Sequence, residues 1–235
     1  MITLYGFQPL WGLTDISSFV SKVETYLRMV EILYQLKPYP FLEIGNAPKG
    51  KLPFIDDGDT RVADSTFIIE HLERTRGCSL DDHLSPGERA IAYGLRVMME
   101  EHLYWATMQV RWRIDDNWKS FMNELFGDFP DQDMLAGVLP KVREAVLQSM
   151  SGHGMGRHSV DEVWRLGQAD LSALSDFLAD KPYFMGERPS TLDATAYAFI
   201  TGARAGYDSP LRQHIDARAN LTDYCERMRA RYYSD

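Results

Sequence analysis

Every strand signal in this 235-residue chain falls within its first third, and that segregation constrains the fold more than any other feature. Ile2 to Tyr5 is a short β-like run. Leu52-Pro53-Phe54-Ile55 and Arg61-Val62-Ala63 flank Asp57-Gly58-Asp59, and Asp-Gly between apolar runs is a hairpin signal. Phe41 to Ile44 is a further candidate strand. After Ser17-Ser18, the residues Phe19, Val20, Val23, Tyr26, Leu27, Val30 and Leu33 recur at helical spacing. They predict an amphipathic helix over 18–36, ended by Pro38 and Pro40. Asp64-Ser65 occupies a helix-cap position ahead of Phe67, Ile68, Ile69 and Leu72. Residues 1–76 therefore read as a compact β-α-β-(short)-β-β-α unit.

Residues 77–84 are polar, contain no periodicity and read as a linker. From there to residue 235 only helix signals occur. Ser85-Pro86-Gly87-Glu88 is a capping box with proline at the first helical position, opening a helix toward Val110. Asp131 to Met150 is a second helical stretch, and Ser159-Val160-Asp161-Glu162 a second box leading toward Asp180. Ser190-Thr191-Leu192-Asp193 is a third box, and Asn220 is a candidate cap for the last helix. A small α/β unit followed by a helical bundle is the expected architecture, with the boundary near residue 80.

Charge and cysteine usage narrow the function classes. Lys and Arg number 25 against 34 Asp and Glu, a net charge of −9, which argues against the basic footprint of nucleic-acid binding. The first 80 residues carry 8 basic and 10 acidic groups, so most of the acidity belongs to the helical part. Two cysteines, Cys78 and Cys225, cannot form a disulfide framework and suit a reducing compartment. The N-terminus lacks the pattern of a signal peptide, and no stretch reaches the roughly 18 to 20 apolar residues of a membrane span. A soluble cytoplasmic protein is expected.

Several residues are candidates for chemistry. Pro53 opens a strand, where a proline sits because it cannot donate to the ladder. A cis Leu52-Pro53 bond would let Leu52 offer its N–H and C=O to an extended peptide ligand; a trans proline would simply start the strand. Asp64-Ser65 is either a plain N-cap or a site for a ligand's α-amino and α-carboxylate groups, aided by the helix dipole. Lys49 and Lys51 either face a second carboxylate or are solvated. Ser17 and Ser18 either cap the first helix or face an anion such as a thiolate. His153 and His158 flank a glycine-rich loop with no third ligand at suitable spacing, so no metal site is expected.

The first four of these features, in this order, resemble the glutathione transferase superfamily. Ile16-Ser17-Ser18-Phe19-Val20-Ser21-Lys22-Val23-Glu24-Thr25-Tyr26-Leu27-Arg28-Met29 is similar to the first-helix signature of the branch containing failed-axon-connections proteins and metaxins. So are Pro48-Lys49-Gly50-Lys51-Leu52-Pro53-Phe54-Ile55 and Ala63-Asp64-Ser65-Thr66-Phe67-Ile68-Ile69. Glu100-Glu101-His102-Leu103-Tyr104-Trp105 with Arg111-Trp112, then Gly156-Arg157-His158-Ser159, resemble the failed-axon-connections type in particular.

The resemblance implies a thioredoxin-like N-terminal domain (βαβαββα), a C-terminal helical bundle, and a homodimer. It implies glutathione as co-substrate: Leu52 and Pro53 at its cysteinyl amide, Asp64 and Ser65 at its γ-glutamyl end, Lys49 or Lys51 at its glycyl carboxylate. Ser17 aligns with the position that carries cysteine in omega-type transferases, where a hydroxyl would donate to the glutathione thiolate and lower its pKa. One departure matters: relatives often carry cysteine where this chain has Val20, so a mixed disulfide with an enzyme thiol is not expected.

The bundle should supply the electrophile pocket. Glu101, Tyr104, Met108 and Arg111 share one helix face, with Met98, His102, Trp105, Gln109 and Trp112 on the next. Trp105 and Trp112 suit bundle core; Tyr104, Met108 and Arg111, with Trp11 from the first domain, are the candidate pocket residues. Three functions follow: a transferase acting on a small hydrophobic electrophile, a non-catalytic metaxin-like interaction module, or a glutathione-dependent isomerase, hydratase or lyase.

Overall fold

The structure, a computed structural model, describes residues 1–234. The end of the expected helical domain, Asp235, lies outside the described residues. A four-stranded mixed sheet is built from β1 (Ile2–Gly6), β2 (Tyr34–Pro38), β3 (Phe54–Asp57) and β4 (Thr60–Ala63), in the order β2-β1-β3-β4. β1 pairs in parallel with β2 and antiparallel with β3, and β3 with β4 forms the hairpin around Gly58. Along β1 the residues alternate between buried and half-buried, as a central strand between two unlike faces requires. Helices α1 (Ser18–Met29) and α2 (Ser65–Arg76) complete this unit.

The first helix is shorter than its apolar period suggests. It stops at Met29, Glu31 turns the chain with φ 56°, and the second strand is Tyr34–Pro38. Val30 and Leu33 continue the helical spacing by coincidence, and Leu33 stands 82% exposed. Phe41 to Ile44, expected as a strand, lies in a 3₁₀ segment (Phe41–Asn46), followed by another (Pro48–Gly50). The βαβαββα order thus has 3₁₀ turns where its middle helix would stand. Pro40 and Pro48 explain this, since each removes a main-chain donor that a longer helix or strand would need.

The helical region holds α3 (Pro86–Met98), α4 (Tyr104–Trp112), α5 (Asp115–Phe126), α6 (Gln132–His153), α7 (Val160–Leu178), α8 (Thr191–Arg204), α9 (Pro210–Asp216) and α10 (Ala219–Tyr232). The boxes at Ser85 and Ser159 both form with their glutamates. α3 and α4 are joined without a break by a π segment, Met99–Leu103. Asn220 does not cap α10. Arg218 holds that position, and the Asn220 amide donates to the Ser175 and Ala179 carbonyls at the end of α7.

α8 is the axis of the bundle. Ala194, Ala196, Ala198, Phe199, Ile200 and Ala203 are buried along it, and small side chains let α1 approach closely. At Gly202 a Cβ would run into Ser18 Oγ, so the two helices meet at van der Waals distance. One continuous core spans the sheet and the bundle. A second cluster gathers Ile16, Trp112, Trp118, Phe121 and Met122 beneath the loop that follows β1. No helix among the described residues is long and apolar enough to cross a membrane.

Candidate functional site

Two loops and the turn at Asp64 lead to the helices of the first unit. The chain leaves β1 at Gly6, where a Cβ would strike Asp15 and Val20, and returns to α1 at Ser17. Asp15 closes this loop: its carboxylate accepts from Phe7 N at 2.6 Å and from Ser17 N at 2.7 Å. Ser17 is half-buried, and its Oγ accepts a long bond, 3.4 Å, from Val20 N. Its hydroxyl proton has no acceptor among the described residues. Ser18 is buried and turned toward α8, which separates the roles of the two serines.

The second loop ends at Leu52-Pro53, whose peptide bond is cis. Pro53 O accepts from Asp64 N at 3.2 Å, tying the start of β3 to the start of α2. Among the described residues the N–H and C=O of Leu52 pair with no other main-chain group. Asp64 is exposed and adopts φ 86°, an unusual conformation for a residue with a Cβ. Its carboxylate accepts from Thr66 N at 2.9 Å and caps α2. Lys49 and Lys51 are exposed, and Lys49 Nζ sits 4.5 Å from the centre of the Phe67 ring on α2.

Beneath Asp64 lies a charged cluster that joins the sheet unit to the bundle. Lys22, on α1, is 1% exposed. Its ammonium donates to Glu100 at 2.6 Å, to Ser65 Oγ at 3.2 Å and to Thr66 Oγ1 at 3.5 Å. Arg96 reaches the other Glu100 oxygen at 2.6 Å and Thr66 Oγ1 at 3.2 Å. Burial pulls the Lys22 ammonium below its ordinary range, and Glu100 opposes that pull. An ammonium only donates, so Ser65 Oγ is an acceptor toward Lys22 and keeps its own proton for another partner. Ser17 precedes Lys22 by about 7.5 Å along the α1 axis, at 1.5 Å per residue. Lys22, in the second turn of α1, thus joins that helix to the start of α2.

The bundle residues divide. Tyr104 is half-buried between Phe19 of α1, its neighbour Trp105 and Phe199 of α8, with ring centres 5.0, 5.3 and 6.5 Å away. Burial raises its phenol, and Arg111 offsets part of that. Met108 is half-buried against the second apolar cluster, as is Trp11. Trp11 donates through Nε1 to Glu124 at 2.7 Å and packs on Phe121 and Tyr207. Arg111 is buried, its guanidinium donating to Ile16 O at 2.7 Å and Gly202 O at 3.2 Å and stacking 4.9 Å from the Trp11 ring. Burial lowers it to about 10. This arginine fastens the β1–α1 loop to α4 and α8. Trp112 packs on Trp118 in the core, while Trp105 stacks on His153.

Two open cavities accompany these residues, the second of them against the loop that carries Trp11. One, about 730 Å³, is lined by Arg28, Asp82, Glu187, Arg188 and Arg231 among others; the other, about 810 Å³, lies between residues 9–14, α1 and β2. The sequence reading missed Lys22, Glu100 and Asp15. It also missed Tyr207, whose hydroxyl is buried near Glu124 and Arg111. Glu100 was hidden by the π segment: a straight helix puts Glu101 on the Tyr104 face, but Glu101 is exposed and Glu100 buried. Lys22 carried a usable signal, because a lysine among Val20, Val23 and Tyr26 needs an anion across the interface.

A thioredoxin-like sheet with an acidic-Ser helix start and a cis-proline strand start, followed by an all-helical bundle, defines the glutathione transferase class of protein. The description "Glutathione S-transferase N-terminal domain" matches residues 18–118, and "Glutathione S-transferase, C-terminal domain" matches residues 167–228. The isoprene-epoxide–glutathione S-transferase of Rhodococcus sp. (strain AD45) is 38% identical over 99% of both chains. Failed axon connections of Drosophila melanogaster is 29% identical over 100% of this chain and 59% of its own length. Human metaxin-1 is 23% identical over 95% of this chain and 49% of its own. A beta-etherase from Sphingobium sp. strain SYK-6 has the same fold, with a TM-score of 0.67 at 17% identity over 97% of this chain and 95% of that one. So has a Pseudomonas fluorescens Pf-5 family member solved with two glutathione molecules bound, with a TM-score of 0.63 at 17% identity over 97% and 88%. The chain belongs to the glutathione S-transferase family.

Proposed function

We propose that this protein activates the thiol of glutathione for attack on a small hydrophobic electrophile, with an epoxide as the first co-substrate to test. The observation that carries the reading is the free hydroxyl proton of Ser17, five residues before Lys22 and its bond to Ser65, in a chain 38% identical to an epoxide-conjugating relative. The α-carboxylate of the γ-glutamyl group takes the Ser65 hydroxyl and the start of α2, and Asp64 pairs with its α-amino group. Leu52 offers its N–H and C=O to the cysteinyl unit beside Pro53. Lys49 or Lys51 faces the glycyl carboxylate.

Ser17 Oγ–H donates to the thiolate and lowers the thiol pKa, so that more of it is ionised at neutral pH. The thiolate sulfur then bonds to an epoxide carbon, the carbon–oxygen bond breaks, and the alkoxide takes a proton from water. Trp11, Tyr104 and Met108 form the apolar wall, with Arg111 behind them. Cys78 and Cys225 stay outside the reaction and fit the reducing cytoplasm. Burial raises Cys225 to about 12.

A homodimer goes with this reading. On α3 only Ala92 is buried, while Ile91 and Tyr93 stand 49% and 63% exposed. A second reading, a non-catalytic assembly module, draws on the metaxin and failed-axon-connections relatives. Calorimetric titration with glutathione separates the two. Binding at or below millimolar concentration is expected, and Ser17→Ala should cut epoxide conjugation about 10- to 150-fold with binding kept, as loss of a bond to a charged group costs about 1.5–3 kcal/mol. Absence of binding at millimolar glutathione would sink the enzyme reading.

A further inference from the structure

We propose that Asp15 is the positioning residue of this site: its two carboxylate oxygens close the loop from Phe7 to Ser17 and fix where the Ser17 hydroxyl and the Trp11 ring stand. Asp15 is 0% exposed. One oxygen takes the Phe7 amide at the end of β1, the other takes the Ser17 amide at the start of α1, and its own carbonyl accepts from Ser21 Oγ at 3.3 Å. Gly6 exists to make room for it. A Cβ there would collide with the Asp15 carboxylate and lie 2.7 Å from Val20 Cγ1.

The charged groups facing Asp15 are Glu24 from α1, which opposes its ionisation, and Arg111 from α4, which favours it. Neither neutralises it by contact. Arg111 spends its donors on Ile16 O and Gly202 O, and Glu24 takes the hydroxyls of Thr14 and Tyr34 and the Arg28 guanidinium. The carboxylate is held by two neutral amides and the start of a helix. Only the ionised group accepts fully through both oxygens. A carboxylic acid must donate its proton and keeps one good acceptor, so on protonation Phe7 N or Ser17 N loses its partner. Burial lifts Asp15 to about 7, so this exchange falls within the working range of pH. The ionised carboxylate builds the loop; the neutral acid loosens it.

The consequence for turnover rests on Ser17 being the thiol-facing hydroxyl, whereas the loop assignment does not. In the wild-type chain the amide resonances of Phe7 and Ser17 should titrate together with a midpoint near pH 7, a measurement that needs no variant. Tryptophan fluorescence should show the same midpoint and lose it in both Trp11→Phe and Asp15→Asn. Asparagine offers one acceptor and sets its NH₂ group against the other amide, so it imitates the neutral acid. Conjugation of glutathione to a small epoxide should fall below the midpoint in the wild type and level off about tenfold lower. Asp15→Asn should stay flat and about tenfold lower.

Stability should move in the opposite direction. The folded carboxyl ionises near 7 and the unfolded one near 3.9, so the folded chain holds the extra proton between them. Wild-type stability relative to Asp15→Asn therefore declines as pH rises from about 4 to about 7, and is level above. A merely structural aspartate would lower stability without this crossing of activity and stability. Flat Phe7 and Ser17 amides between pH 5.5 and 8.5, or a fluorescence midpoint that survives Asp15→Asn, overturn the assignment. Paired amide titration in a chain that conjugates no epoxide supports the loop assignment and counts against the transferase reading alone.

Discussion

Lys22 shows how one residue ties binding to folding. Its ammonium, out of water, is matched by Glu100, and Glu100 in turn is shared with Arg96. Breaking a buried pair leaves an uncompensated charge and costs about 3–5 kcal/mol. Glu100→Leu strands two cations and should cost that full amount in urea unfolding. Lys22→Met should cost less, because Arg96 still holds the carboxylate. The same variant frees the Ser65 hydroxyl to turn its proton inward, so glutathione affinity should fall even where the fold survives. Equal destabilisation by the two variants would show that Arg96 contributes nothing to holding Glu100.

Among the elements, α8 depends most on its cap. Asp193 is fully buried, accepting from Ser190 N at 2.8 Å, Ser190 Oγ at 2.9 Å, Phe184 N at 2.9 Å and Tyr224 at 3.2 Å. An exposed cap is worth about 1 kcal/mol. Here several buried donors would be orphaned at once, so Asp193→Ala should lower stability by about 3 kcal/mol or more and show as a fall in thermal midpoint. This cap was legible because Ser-x-x-Asp is a local pattern, as were the boxes at Ser85 and Ser159. β2 and the Phe41–Asn46 turn were not, because Tyr34–Pro38 becomes a strand only through pairing with Ile2–Gly6. The start of α2 was legible down to Asp64 and Ser65. What stood behind it, Lys22 and Glu100 separated by 78 residues, was set by packing that no local spacing encodes.

At the scale of the molecule, α3 is the element least accounted for by one chain. Ile91 and Tyr93 leave apolar area facing outward, with Arg96 stacked 5.0 Å from the Tyr93 ring. If two copies meet through this face, Ile91→Lys with Tyr93→Lys should convert a dimer to a monomer in sedimentation without altering the circular dichroism. A wild type that sediments as a monomer at micromolar concentration would remove the dimer from the proposal. The Lys22–Glu100 bridge bears on how such proteins diversify. A recombination breakpoint in the 77–84 segment would bring in a new bundle and with it a new pocket, yet it would separate the lysine from its carboxylate. Viable exchanges of the helical half should therefore be confined to donors that bring an acid to position 100, so the bundle cannot be inherited as a free module.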